Sequence, residues 1–339
     1  MQLKSQVIYP PHRAQNRASS SARGPLLSNA AKKPSRIKAA TASLRISPLD
    51  RALLVEVHAA GYMRTDQIER MLRILAARQR FPLPTKALRR VVQKRLLAWQ
   101  RAGIVRRIAP PVFPATRSGP PFFIYTLDKL GAALVAEHLG VTPGELGLQR
   151  AGESLFFLNH MLQMTAVKLM LAEATLRQGV ELADWIDDRV LRKEPACVTL
   201  DGESGERLRV SVVPDAYFQL KLPSGSTLAC CFEMDMGTST IAPGKWQARS
   251  WRRKMLAYRT LMARLPAEPG WAAAPFIVTT CTTSVTRRAH LRRVCQEAGG
   301  DQRFWFTHLD GLNADTILTA PIWSVADKGD TQHTLLPRR

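Results

Sequence analysis

The chain has 339 residues, 45% of them apolar and 22% charged, with a formal net charge of +22. That length accommodates two domains with sizeable cores, and the composition is that of globular material. Five cysteines with no CxxC pair argue against a disulfide framework or a zinc site and fit a reducing cytoplasm.

The charge is unevenly placed. Residues 1–45 hold nine Lys/Arg and no acid, and residues 46–110 hold fourteen Lys/Arg against four acids, so the remainder carries only three of the net positive charges. A basic N-terminal third points to a polyanion, with nucleic acid first. No basic amphipathic helix or lipidation signal favours a membrane surface. No uninterrupted apolar run approaches the roughly eighteen residues of a membrane-crossing segment.

In chain order, residues 1–46 are too poor in apolar side chains to offset the entropy of ordering and are expected to be a disordered basic arm. Their Ser/Ala/Arg/Lys-rich, acid-free composition also resembles a transit peptide. SPLDRALLVEVHAAG then reads as a helix with a Ser-Pro start and a stop at Gly61. TDQIERMLRIL follows, with Thr65 as its expected N-cap. A third helix, TKALRRVVQKRLLAWQRAG, shows Leu88, Val91/Val92, Leu96 and Trp99 at helical spacing and closes at Gly103. IVRRIAPPVF and PFFIYTL read as two short strands around a Pro/Gly/Arg loop.

Three helices and a hairpin in this order predict a winged helix-turn-helix over residues 47–140. Its third helix would read double-stranded DNA with Lys86, Arg89, Arg90, Gln93, Lys94 and Arg101. Arg106 and Arg107 lie on the first hairpin strand, and Arg117 lies in the wing loop. Phosphate contacts are expected to dominate affinity. Winged helices often form homodimers, but no heptad pattern signals one here.

DKLGAALVAEHLG is a connecting helix, and residues 141–152 read as a linker. A second domain is placed at residues 153–312. It opens on the long apolar helix ESLFFLNHMLQMTAVKLMLAEATLRQG. After an irregular stretch come the strand-like RLRVSVVPDAYFQL and STLACCFEMDM, then helix, strand, helix, strand. The order α-β-β-α-β-α-β predicts an α/β domain on a mixed sheet, giving an α+β or α/β chain overall. Residues 313–339 read as a tail.

FEMDMG carries the chemistry. Period-two alternation puts Cys231, Glu233 and Asp235 on one strand face and Phe232, Met234 and Met236 on the other. Like charges this close raise each other's pKa unless a cation intervenes. Asp215, ending the preceding strand in PDAYF, would converge on them if the strands pair. Asp215, Glu233 and Asp235 would then form an oxygen-rich site for Mg²⁺ or Mn²⁺. The alternative is that the acids pair with Arg/Lys of the next helix, such as Arg249, Arg252 or Arg253, and serve only structure.

Pro214-Asp215 followed by Glu233-Met234-Asp235 resembles the core of PD-(D/E)xK nucleases. That resemblance implies that Asp215 and Glu233 hold the metal. Asp235 stands where the strand lysine is normally found, and Lys254 on the next helix, with Tyr258 one turn along, is the candidate for a migrated lysine. Glu173 would be an additional acid from the preceding helix. The chain as a whole, over about residues 48–310, is similar to the replication-relaxation family of plasmids and integrative elements. The matching segments are RRVVQKRLLAWQRAGIVRR, FIYTLDKLGAAL, LNHMLQMTAVKLML, VVPDAYF, FEMDMGTST and KMLAYRTL. The resemblance implies DNA binding in replication or relaxation of mobile DNA. Two functions follow: a Mg²⁺-dependent DNA nuclease or nickase with catalytic Asp215, Glu233, Asp235 and Lys254, or a non-catalytic initiator or regulator on a degenerate nuclease domain. His160, alone on an apolar helix, reads as a core residue. Tyr258 as a relaxase nucleophile is disfavoured, since no His cluster surrounds it.

Overall fold

The computed structural model describes residues 44–83, 87–108, 122–146, 154–202, 205–241, 249–264, 270–272, 274–327, 329 and 331–336. The expected wing loop with Arg117, Lys86 ahead of the third helix, and residues 1–43 of the expected N-terminal arm lie outside them. The protein is a mixed α+β chain with a mixed multi-stranded sheet.

The N-terminal unit begins with α1 (Pro48–Ala60), β1 (Met63–Arg64), α2 (Thr65–Arg78) and α3 (Leu88–Arg101), followed by β2 (Val105–Ile108) and β3 (Ile124–Leu127). A Ser47–Asp50 capping box starts α1: Asp50 N donates to Ser47 Oγ at 3.1 Å, and Ser47 N donates back to Asp50 Oδ2 at 2.9 Å. Arg64, not Thr65, is the N-cap of α2, and the Gln67 side chain accepts from its amide. Three strands pair antiparallel in the order β1-β3-β2. The two-residue β1 is not legible in the sequence because so short a run carries no alternation. Leu88, Val92, Leu96 and Trp99 of α3 are buried in one core with Leu53, Leu54 and Leu72.

A connecting helix α4 (Lys129–Leu139) packs back on this unit. A Cβ on its Gly131 would lie 2.1 Å from the Ile104 carbonyl oxygen, so only glycine admits the approach. A short α5 (Pro143–Leu146) occupies part of the expected linker.

The long helix α6 (Leu155–Gln178) belongs to both halves of the molecule. Leu169 and Ala172 sit in the N-terminal core, whereas Met164, Val167 and Leu171 pack under the large sheet. Its length and composition would let it cross a membrane, yet more than half of its most apolar window is buried in the protein. Polar contacts tie it down further. Lys168 Nζ reaches Glu56 Oε2 at 2.7 Å, Arg70 clasps Glu173 with two bonds of 2.9 Å, and Gln67 Nε2 donates to the Leu162 carbonyl at 2.8 Å.

The C-terminal sheet comprises β4 (Glu181–Asp187), β7 (Ala216–Lys221), β8 (Thr227–Asp235), β9 (Ile277–Thr282), β10 (Phe304–His308), β11 (Trp323–Val325) and β12 (Gln332–His333). Their spatial order is β12-β11-β10-β9-β8-β7-β4. Strands β8, β9 and β10 run parallel, and the remaining neighbours are antiparallel. Helix α6 covers one face. Helices α8 (Trp251–Met262) and α9 (Val285–Glu297) cover the other.

Three sequence expectations are revised. RLRVSVVPDAYFQL is not one strand: β6 (Arg207–Val212) pairs with β5 (Ala196–Asp201) in a separate ribbon, and the chain breaks at Pro214, which has no amide proton to donate. The stretch expected to be irregular contains β4, the short helix α7 (Asp188–Leu191) and β5. The stretch expected to be a tail supplies β11 and β12 to the sheet. Burial raises the thiols of Cys230, Cys231, Cys281 and Cys295, which act as small apolar core residues.

Candidate active site

The site forms where β7 and β8 meet the N-termini of α6 and α8. The β7–β8 register places Ala216 opposite Phe232, so Asp215 arrives beside the residues that follow Phe232. It lies near the carboxyl end of β8, the edge at which open α/β sheets place ligands. Alternation along β8 behaves as expected. Phe232 and Met234 enter the core under α6, and Cys231 enters the opposite core under α8 and α9.

Glu233 is fully buried on the α8 face. Lys254 Nζ donates to its Oε2, and the Tyr258 hydroxyl donates to Oε1 at 2.5 Å. Ser250 caps α8 by accepting from the Arg253 amide at 3.2 Å, which fixes the register that aims Lys254 and Tyr258 at the strand. Burial pushes the Glu233 carboxyl up to about 8, against the pull of Lys254 and helped by the charge of Asp215. Burial opposes the charge on Lys254, but Glu233 and Asp215 hold the ammonium above the usual lysine range. The lysine side chain remains one-third exposed and faces the cleft.

Asp215 Oδ2 accepts from the Met234 amide at 2.9 Å and lies 3.3 Å from His160 Nε2. Burial disfavours its ionisation. Lys254, His160 and that amide outweigh burial and hold the carboxyl well below its usual range. The His160 imidazole is raised by Asp215 despite its own burial. His160 is therefore a cleft residue and not the core histidine expected. Sequence alone offers one usable signal, its place in the first two turns of α6.

Asp235 does not join this group. Arg287 of α9 grips both of its oxygens, at 2.8 and 3.0 Å, and the Thr282 hydroxyl adds a bond of 2.7 Å. Its side chain is sealed from solvent. The expected third metal carboxylate is instead a satisfied buried ion pair whose cation comes from α9, whereas Glu233 takes its cation, Lys254, from the next helix as the structural alternative expects. Glu173 is likewise removed from the site by Arg70. Tyr258 is fully buried, and burial with the adjacent Glu233 charge raises its hydroxyl well above the usual value, which disqualifies it as a nucleophile.

Among the described residues no group of three or more His, Cys, Asp or Glu converges as a metal site. Asp215, just before β7, and Glu233 on β8 are two hard-oxygen donors, and Asp215 Oδ1 accepts no hydrogen bond among the described residues. Magnesium is commonly held by one or two carboxylates, with water and substrate phosphate completing the shell. Asp215 fits that mode of binding, and Glu233 would join it by exchanging its bond to Lys254 or Tyr258 for the ion. The site opens into a cleft of about 490 Å³ whose wall includes Arg192, Thr238, Ser239 and Arg249.

In the N-terminal unit, Arg89, Arg90, Gln93, Lys94 and Arg101 form an exposed side of α3 opposite its buried apolar stripe. Arg107 is exposed on β2, with its guanidinium 4.3 Å from the Phe123 ring centre, and Arg106 is half-buried beside it. No family model matches the chain, and neither a curated protein nor a solved structure is significantly similar to it.

Proposed function

We propose that this protein binds double-stranded DNA through its N-terminal unit and hydrolyses a phosphodiester bond in the cleft of the C-terminal unit with a bound Mg²⁺ or Mn²⁺. The order of elements over residues 47–127 supports a winged helix-turn-helix, with α3 as the groove-reading helix. The observation that carries the catalytic reading is the contact of Lys254 with Glu233 beside Asp215. A helix-borne lysine thereby stands in for the one missing from the strand, as in PD-(D/E)xK nucleases.

Asp215 and Glu233 would hold the cation, which when bound would polarise a phosphate oxygen and supply an acidified water. Lys254 orients the attacking water or neutralises charge developing on the phosphate. His160 and the Met234 amide both engage Oδ2 of Asp215, so Oδ1 keeps its lone pairs for a cation. The motif resemblance supports a role in replication or relaxation of a plasmid or integrative element, in the cytoplasm.

The test is conversion of supercoiled plasmid to nicked circles in Mg²⁺ or Mn²⁺, abolished by Asp215→Asn. A second reading, a non-catalytic initiator or regulator, is favoured by the sealing of Asp235 against Arg287. DNA binding without cleavage in either metal would establish that reading in place of the first.

A further inference from the structure

Leu155, Phe156 and Phe157 open α6, and all three are exposed, Phe156 by 73%. Phe156 and Phe157 line the same cleft as Asp215, Glu233 and Lys254. Single exposed apolar residues need no explanation, but consecutive aromatics at the mouth of a charged cleft do. Ser154 accepts from the Phe157 amide at 3.2 Å, which fixes the first turn and holds the rings at the rim. The neighbouring wall is cationic and hydroxylic. Arg249 is exposed and makes no ion pair among the described residues, and Thr238 and Ser239 complete that side.

Exposed aromatic faces beside cations and hydroxyls match one chemistry closely. Nucleobases stack on the rings while the backbone phosphates lie against the cations and hydroxyls. A paired duplex offers no free base faces, because each is covered by its neighbours in the stack. An apolar protein segment would bury the rings but would leave Arg249, which makes no ion pair among the described residues, desolvated without an anion. We propose that the cleft takes an unpaired DNA strand, with Phe156 and Phe157 stacking on bases next to the phosphodiester that lies against Lys254. This rests on the nuclease reading of the cleft and gives its substrate class: single-stranded or frayed DNA, not intact duplex.

The test uses the full chain and a short oligothymidylate, without divalent metal so that cleavage does not interfere. Phe156→Ala is expected to weaken single-strand binding by roughly five- to a hundredfold, the range of one lost base stack. Duplex affinity, carried by the N-terminal unit, is expected to hold. Phe156→Trp should restore binding, and its added indole fluorescence, taken against the wild-type chain, should be quenched by the oligonucleotide. Anisotropy that reports strand binding while the added indole signal of Phe156→Trp stays unmoved overturns the proposal, as does equal loss of single-strand and duplex affinity in Phe156→Ala. The nuclease reading is checked separately by metal-dependent nicking and its loss in Asp215→Asn. If nicking stands while Phe156 proves indifferent to the strand, only the substrate assignment falls.

Discussion

Lys254 on α8 reaches across the sheet surface to the carboxylate of Glu233, buried on β8. The strand position two residues after Glu233 holds Asp235, so a lysine contact to Glu233 has to come from elsewhere. Lys254→Met removes the cation and leaves Tyr258 as the one side-chain partner of Glu233 among the described residues. Metal-dependent nicking is expected to fall by at least about a hundredfold, the scale of a lost electrostatic stabiliser. Lys254→Arg should not rescue it, because a planar fork cannot reproduce a point charge in that space. Nicking at wild-type levels in Lys254→Met would remove the lysine from the chemistry.

The pH dependence of stability has a defined sign. Glu233 titrates near 8 in the folded protein against an ordinary value of 4.5. Its folded pKa is raised, so its stabilising contribution is complete below about 4.5 and is lost as pH rises through 8. Asp215 is shifted down, so its contribution is present above the usual carboxylate range and is lost as pH falls. Thermal melts should therefore show the wild type losing stability from pH 5 to about 8 relative to Glu233→Gln. Asp215→Asn should be destabilised at neutral pH and approach the wild type in acid. A wild-type minus Glu233→Gln difference that stays flat over that range would refute the assignment.

Arg287 and Asp235 are a buried pair, and one partner alone should be worse than neither. Arg287→Ala leaves a sealed carboxylate without its cation and is expected to cost about 3–5 kcal/mol. The double variant Arg287→Ala/Asp235→Ala should recover part of that loss in denaturant melts. Additive losses would show that the two side chains do not act together.

The contrast between Glu233 and Asp235 shows where legibility in the sequence ends. Alternation along FEMDM places both acids on one face, and the structure agrees because a pleated strand leaves side chains no other choice. Which cation meets each acid depends on where α8 and α9 cross the sheet, and no local pattern encodes that. Arg287 lies 52 residues from Asp235 in the chain. His160 escapes the sequence for the same reason: its helix looks uniformly apolar, and only the tertiary position of its first turns brings it to Asp215. The N-terminal unit is more legible because its signals are local. Ser47, Gly61, Gly103 and the spacing from Leu88 to Trp99 each report on their own turn of helix. Strands β4 and β5 are hidden because the short helix α7 and Pro195 between them interrupt the alternation that would reveal them.

Glu173 provides a control within α6. Its carboxylate is held by Arg70 from the N-terminal unit, with both side chains only partly exposed. Glu173→Ala should leave nicking intact and cost about 1–3 kcal/mol, as expected for a two-bond, half-buried pair. Loss of nicking with an unchanged melting temperature would return Glu173 to the active site.

The exposed face of α3 predicts a salt signature. If Arg90 and Lys94 contact phosphates, each replacement by alanine removes one neutralised charge. The slope of log affinity for duplex DNA against log salt should then become shallower by about one per residue. The effect should be similar across unrelated sequences, because phosphates carry no base identity. Gln93 projects from the same exposed face and has no charge. Gln93→Ala should leave the slope alone and, where Gln93 reaches an adenine edge, relax discrimination by about 1–3 kcal/mol at one base pair. Filter binding or anisotropy over a salt series separates the two behaviours. Unchanged slopes in both charge variants would exclude α3 as the element that holds DNA.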